Sequence, residues 1–177
     1  MIFPAVDLIR QELVASGINA DLGNISEIAN DVNNANADVI ISLINIEENR
    51  ISRDPNNYIK KDQAIIMKNP AVHLYLTLLF TSVRRAGYGL SLFDLQNVIG
   101  FFQAKNVFDH SNTPALDNNI ERLALDMVSL NLQQLHEIWS VLGGRYFPSV
   151  VYRMRMVTID SITDQKGVPI KEVVLNF

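Results

Sequence analysis

Two periodicities alternate along this chain. Leu132, Leu135, Ile138, Trp139 and Leu142 recur at helical spacing, while Gln133, His136, Glu137 and Ser140 fall mostly off that face. Asn131 stands where an N-cap belongs, and Gln134 three residues on completes a capping box. Gly143 supplies the left-handed residue that closes a helix, and Gly144 frees the exit. Beyond Pro148 the period drops to two. Val150, Tyr152, Met154 and Met156 alternate with Val151, Arg153, Arg155 and Val157, which predicts a long strand. One of its faces is apolar and the other carries two arginines. The Met154/Met156 stripe is expected in the core, although methionine also suits adaptable binding surfaces.

The same reading applies from the amino end. Pro4 sits well in a first helical turn, Val6, Ile9 and Leu13 follow at helical spacing, and Gly17 is the expected stop. A short strand is predicted near residues 22–28, then a turn-rich loop. Residues 38–48 and 71–82 are apolar on both faces, which predicts strands central to a sheet. Ser91 reads as a helix cap with Asp94 as its reciprocal partner, and Leu92, Leu95, Val98, Ile99, Phe101 and Phe102 give that helix a broad buried face. Residues 105–119 form a polar loop around Pro114. Residues 120–130 fit a strand through Leu123, Leu125 and Met127, and a helix nearly as well. A KGVP turn at 166–169 precedes a last short strand over 172–177.

Residues 49–69 show no clear periodicity. A loop of that length is functional, disordered or folded into a small hairpin. It holds Arg50, Arg53, Lys60, Lys61 and Lys68 against Asp54 and Asp62, a basic arm on a chain of net charge −4. Strands joined directly as well as through helices predict an α+β fold. The expected architecture is a mixed, largely antiparallel sheet flanked by about three helices, with a long projecting arm. One domain over residues 1–177 suits the length.

Composition narrows the function classes. A hydrophobic fraction of 48% marks a globular chain. A pI of about 5.3 argues against nucleic-acid binding through bulk charge. The absence of cysteine excludes disulfides, thiolate metal sites and cysteine nucleophiles. No run reaches the roughly 18 apolar residues of a membrane span, and Asp7, Arg10 and Glu12 interrupt any signal-peptide core. A soluble protein assembled in the cytoplasm, with no membrane partner, is the expectation.

Catalytic constellations are not found. His73, His110 and His136 are scattered and lack a second ligand at i+3 or i+4, so no metal site is expected. Asp109, His110 and Ser111 are the residue types of a triad, but consecutive residues cannot adopt triad geometry. No phosphate-cradling glycine motif occurs, and Glu47 and Glu48 face opposite sides of a strand. The chain is expected to be no enzyme and to use no cofactor. Arg153 and Arg155 project in parallel and suit bidentate pairing with a neighbour's carboxylates.

Several stretches together resemble the tube-terminator (cap) proteins of contractile injection systems, the phage-tail-like particles that drive a rigid tube through a contracting sheath. They are PAVDLIRQEL, DVIISLINIEEN, KNPAVHLYLTLLF, LQNVIGFFQAKNVF, NTPALD, ERLALDMVSLNLQQLHEIW and RYFPSVVYRMRM, in that order. The resemblance favours a strand for residues 120–130. It implies a structural protein that forms a six-fold ring on the distal tube end, stops tube polymerisation and anchors the last sheath ring. Its implied partners are copies of itself, the inner tube protein and the sheath protein, within a released or cell-associated particle. Candidate contact residues are Arg50, Arg53, Lys60 and Lys61 of the arm, Asn112, Pro114 and Leu116 of the following loop, and Arg153 and Arg155. The alternative is a non-enzymatic adaptor or a module binding a small ligand or peptide on the methionine-lined strand. A hydrolase using His110 is a residual possibility.

Overall fold

The computed structural model describes residues 1–49, 58–61, 64–69, 73–84, 87–158 and 161–167. In chain order its helices are α1 (Ile2–Ala15), α2 (Ile25–Asn30), α3 (Tyr88–Ala104) and α4 (Leu132–Val141). Its strands are β1 (Ala20–Leu22), β2 (Val39–Glu48), β3 (Tyr58–Lys61), β4 (Ala64–Asn69), β5 (His73–Ser82), β6 (Val107–Asp109), β7 (Ile120–Val128), β8 (Ser149–Thr158) and β9 (Ser161–Gly167). Six strands form one sheet in the order β1-β2-β5-β8-β7-β6, and β3-β4-β9 form a second. The β1–β2 pair is parallel and every other pair is antiparallel. The fold is α+β with a mixed, largely antiparallel sheet.

The long sheet owes its stability to β5, which is paired on both sides and buries Leu76, Leu78, Phe80 and Leu79. Side chains alternate across it. One face carries Val39, Ile41, Leu76, Leu78, Phe80, Tyr152, Met154, Met156, Leu123 and Leu125, covered by Val6, Ile9 and Leu13 of α1 and Val98 and Phe102 of α3. Phe80, Phe102 and Tyr152 meet there edge-on or tilted, with centroids 4.6–5.6 Å apart. Both methionines are fully buried, so the methionine face of β8 is core and offers no ligand surface.

The opposite face is covered only in part. Ile25 and Ile28 of α2 and Trp139 of α4 pack on Ile40, Leu79 and Val151. Among the described residues, the other half of this face, from Asn45 and Thr77 to Arg153 and Arg155, carries no helix-borne cluster.

Local signals set most boundaries. Gly17 at φ 91° ends α1 with hydrogen bonds from its own N–H to the Val14 carbonyl and from the Ile18 N–H to Leu13, both 3.0 Å, the pairing of a Schellman motif. The capping box at Asn131 and Gln134 is present in both directions. Residues 120–128 are strand, as the resemblance favoured.

Four expectations need correction. Residues 22–28 are mostly helix: Asn24 caps Ser26 and Ile25, Ile28 and Ala29 are buried, so the helix count rises to four. The 105–119 stretch contains β6, paired to β7. Ser91 is no cap. Gly87 takes a left-handed conformation (φ 87°), the helix starts at Tyr88, and Ser91 is buried within the first turn. Leu132, placed on the inner face of α4, is exposed, because α4 lies on the sheet only near Trp139.

The 49–69 region contains a hairpin, with Tyr58 opposite Met67 and Lys61 opposite Ala64. Its second strand pairs with β9, whose last two residues fall within the turn predicted at 166–169. Asn69 stands opposite Ser161 in that pairing. The predicted strand over 172–177 lies outside the described residues.

Candidate assembly surfaces

The triad-like run at Asp109 is a turn. The Asp109 carboxylate accepts hydrogen bonds from the Ser111 and Asn112 backbone N–H groups and from the Ser111 hydroxyl. These bonds, the Ser111 hydroxyl foremost, hold its pKa below the usual carboxylate value. His110 turns away, its Nε2 2.9 Å from the Ile120 carbonyl oxygen. His136 is exposed, 3.3 Å from the Ser140 hydroxyl, and His73 sits half-buried on β5. No group of three or more metal-ligating side chains occurs among the described residues. No described helix is long and apolar enough to cross a membrane.

The surface features with physical content are three. The first is α3. Its inward arc carries Ser91, Asp94, Leu95, Val98 and Phe102, all buried. Its outward arc carries Tyr88, Leu90, Leu92 and Phe93, which are 47–64% exposed. Asp94, the only charged residue of this helix, points inward, so its outer face has no charge at all. A solvent-facing helix ordinarily shows the reverse arrangement. Beside it, a depression of about 980 Å³ runs between α3 and the end of α1, lined by Ile18, Leu92, Ile99 and Val150 among others. Sequence reasoning assigned Leu92 to the core and passed over Tyr88, Leu90 and Phe93. The lack of any lysine, arginine or glutamate across 88–104 was the available signal.

The second is the loop after β6. The Asn112 side chain accepts from the Asp109 N–H and donates to the Val107 carbonyl, fixing the turn. Asn112 and Pro114 are exposed, whereas Leu116 is buried in the main core and offers no contact surface. Lys105 ties this region to α1 through Glu12 at 2.8 Å and lies 4.8 Å over the Phe108 ring.

The third is the half of the sheet that no cluster of described helical residues covers. Register places Asn45, Thr77, Arg153 and Asp126 in one cross-strand row and Glu47, Tyr75, Arg155 and Ala124 in the next. Arg153 and Arg155 are both exposed, and the Arg153 guanidinium lies 5.5 Å from the Tyr75 ring centroid. They stand together, as the alternation predicted. Of the basic arm, Lys60 and Lys61 lie on β3, one of the two outer strands of the small sheet. Arg50 and Arg53 lie outside the described residues.

The Pvc16 N-terminal domain family model matches residues 6–172. The chain belongs to this family. Among solved structures it is similar to the PVC sheath/tube terminator of an extracellular contractile injection system in its extended state. That match has a TM-score of 0.60 at 16% identity and covers 100% of this chain and 63% of that one. It is also similar to the tube-terminating cap of the anti-feeding prophage, with a TM-score of 0.53 at 15% identity, over 78% of this chain and 48% of that one. This family member therefore spans less than two thirds of the length of either relative. No curated protein matches the chain.

Proposed function

We propose that this chain is a structural, non-enzymatic cap of a contractile injection particle. In this reading it closes as a homohexameric ring on the distal tube end, stops addition of tube subunits and holds the last sheath ring. The observation that carries the proposal is the likeness over the whole chain to a sheath/tube terminator, joined to membership of the Pvc16 N-terminal domain family. The ring component is supported by α3. A charge-free apolar helix face is costly in water, and interface centres are depleted in charged residues. Ring closure needs a head-to-tail contact between two different faces of the same chain. The outer face of α3 lies on the fully covered side of the sheet, and the arginine half-face lies on the other, so two unlike surfaces are available for successive neighbours and for tube and sheath. Assembly takes place in the cytoplasm and the particle is then released or held at the cell.

The direct test is polymerisation of the cognate tube protein with and without this chain. A cap shortens the tubes in proportion to its concentration and decorates one end in electron micrographs. Tubes of unchanged length without end density would overturn the proposal.

A further inference from the structure

Among the described residues, β1 and β6 are the outer strands of the six-stranded sheet, and an open strand edge invites pairing with another chain. In front of β6 the Asn106 carbonyl accepts from the Leu125 N–H at 2.8 Å, so residue 106 turns its polar groups toward β7. Alternation along the antiparallel pair then turns the polar groups of Val107 and Asp109 outward, away from β7.

The turn that follows takes up these outward groups. The Asn112 side chain donates from Nδ2 to the Val107 carbonyl at 3.0 Å and accepts at Oδ1 from the Asp109 N–H at 3.1 Å. The Asp109 carbonyl accepts from the Thr113 N–H at 2.8 Å. A primary amide carries the same donor and acceptor as a peptide group, so Asn112 fills this edge as one residue of an added strand would. Two further bonds hold the amide in place. The hydroxyl of buried Thr113 donates to Oδ1 at 2.8 Å, and the Asp109 carboxylate accepts from the Asn112 N–H at 3.1 Å. The opposite edge shows the same device in smaller form. The Asn19 carbonyl and the Gly23 N–H bond to β2 at 3.0 and 3.1 Å, which turns Leu22 outward, and the Leu22 N–H donates to the Asp21 carboxylate at 2.8 Å.

We propose that Asn112 is an intramolecular edge plug. It stands where a paired strand would lie on β6, and it excludes the edge strand of a second copy of this chain. Copies then meet through the faces of the sheet and its helices, and not by extending the sheet past β6. The plug belongs to one protomer, so this inference does not rest on ring formation.

The test is Asn112→Ala, which removes both side-chain bonds to the edge. Amide hydrogen exchange at Asp109 is expected to be at least about tenfold faster than in the wild type. Sedimentation over a concentration series is expected to show species above the wild-type mass that grow with concentration. A second variant adds Val107→Pro to Asn112→Ala. The Val107 N–H points away from β7, so proline there costs the sheet no ladder bond and obstructs an incoming strand. This double variant is expected to return to the wild-type mass, a rescue that a misfolded chain would not show. Unchanged exchange at Asp109, a wild-type mass for Asn112→Ala throughout the series, or association that the proline leaves in place overturns the proposal.

Discussion

Asp94 and Arg84 are joined at two points: Arg84 Nε donates to one Asp94 oxygen at 2.7 Å and Nη2 to the other at 3.0 Å. The Ser82 hydroxyl adds a third donor at 3.0 Å, and Arg84 reaches Asp38 at 3.1 Å as well. This latch fixes the start of α3 to the ends of β5 and β2. It also explains how the only charge of α3 comes to lie inside. Asp94 is buried because the pairing satisfies it, which leaves the outer arc free to be apolar.

Removing one partner of such a pair strands the other. Asp94→Ala is expected to lose about 2–3 kcal/mol, since Arg84 remains partly solvated while the Ser82 hydroxyl loses its acceptor. Arg84→Lys keeps the charge and loses the two-point geometry, costing about 1 kcal/mol. Urea denaturation of both variants checks the order; equal losses would contradict the bidentate reading.

Gly17 isolates backbone strain. An added Cβ there meets nothing within 4 Å, yet φ is +91°. Gly17→Ala is therefore expected to destabilise by about 1 kcal/mol through conformation alone. A thermal melt that shows no loss would contradict the Schellman closure of α1.

The capping box predicts a comparable figure at α4. Asn131→Ala removes the acceptor for the Gln134 N–H and is expected to cost about 1 kcal/mol, whereas Asn131→Asp keeps it and is near neutral. Chemical denaturation of the pair separates cap from packing.

Acid sensitivity follows from Asp109. Its folded pKa lies below the unfolded value, so its contribution is present above the unfolded pKa and disappears as pH falls through the folded one. Asp109→Asn keeps an acceptor for the turn but does not titrate. The wild type is expected to lead this variant at pH 7 and to lose that lead as pH falls from the ordinary carboxylate range through the lowered folded pKa. A lead that persists in acid would show that the turn, not ionisation, accounts for the difference.

Much of this fold is written in local patterns. Alternation from Val150 to Val157 gave the strand, its core methionines and its arginine face, since a period of two needs no tertiary information. Gly17 and the Asn131–Gln134 pair act within one helical turn and were equally legible. What failed depended on distant partners. Ile25 and Ile28 become helical because α2 packs against Ile40 and Leu79. The Ser91–Asp94 pattern imitates a capping box, but Arg84 claims the carboxylate and Gly87 starts the helix earlier. The pairing of β4 with β9 joins residues about a hundred positions apart, which no local pattern announces. The outer face of α3 is illegible for a different reason: this helix carries apolar residues both on its buried arc and on its exposed one, so periodicity does not separate the two.

The ring reading can be tested most directly by solution mass. Light scattering after size-exclusion chromatography of the wild type is predicted to give six times 19.9 kDa, alone or with tube protein present. Leu90→Asp with Phe93→Asp is predicted to reduce it to the protomer while the fold persists by circular dichroism. A wild-type monomer under both conditions would contradict the ring-forming cap.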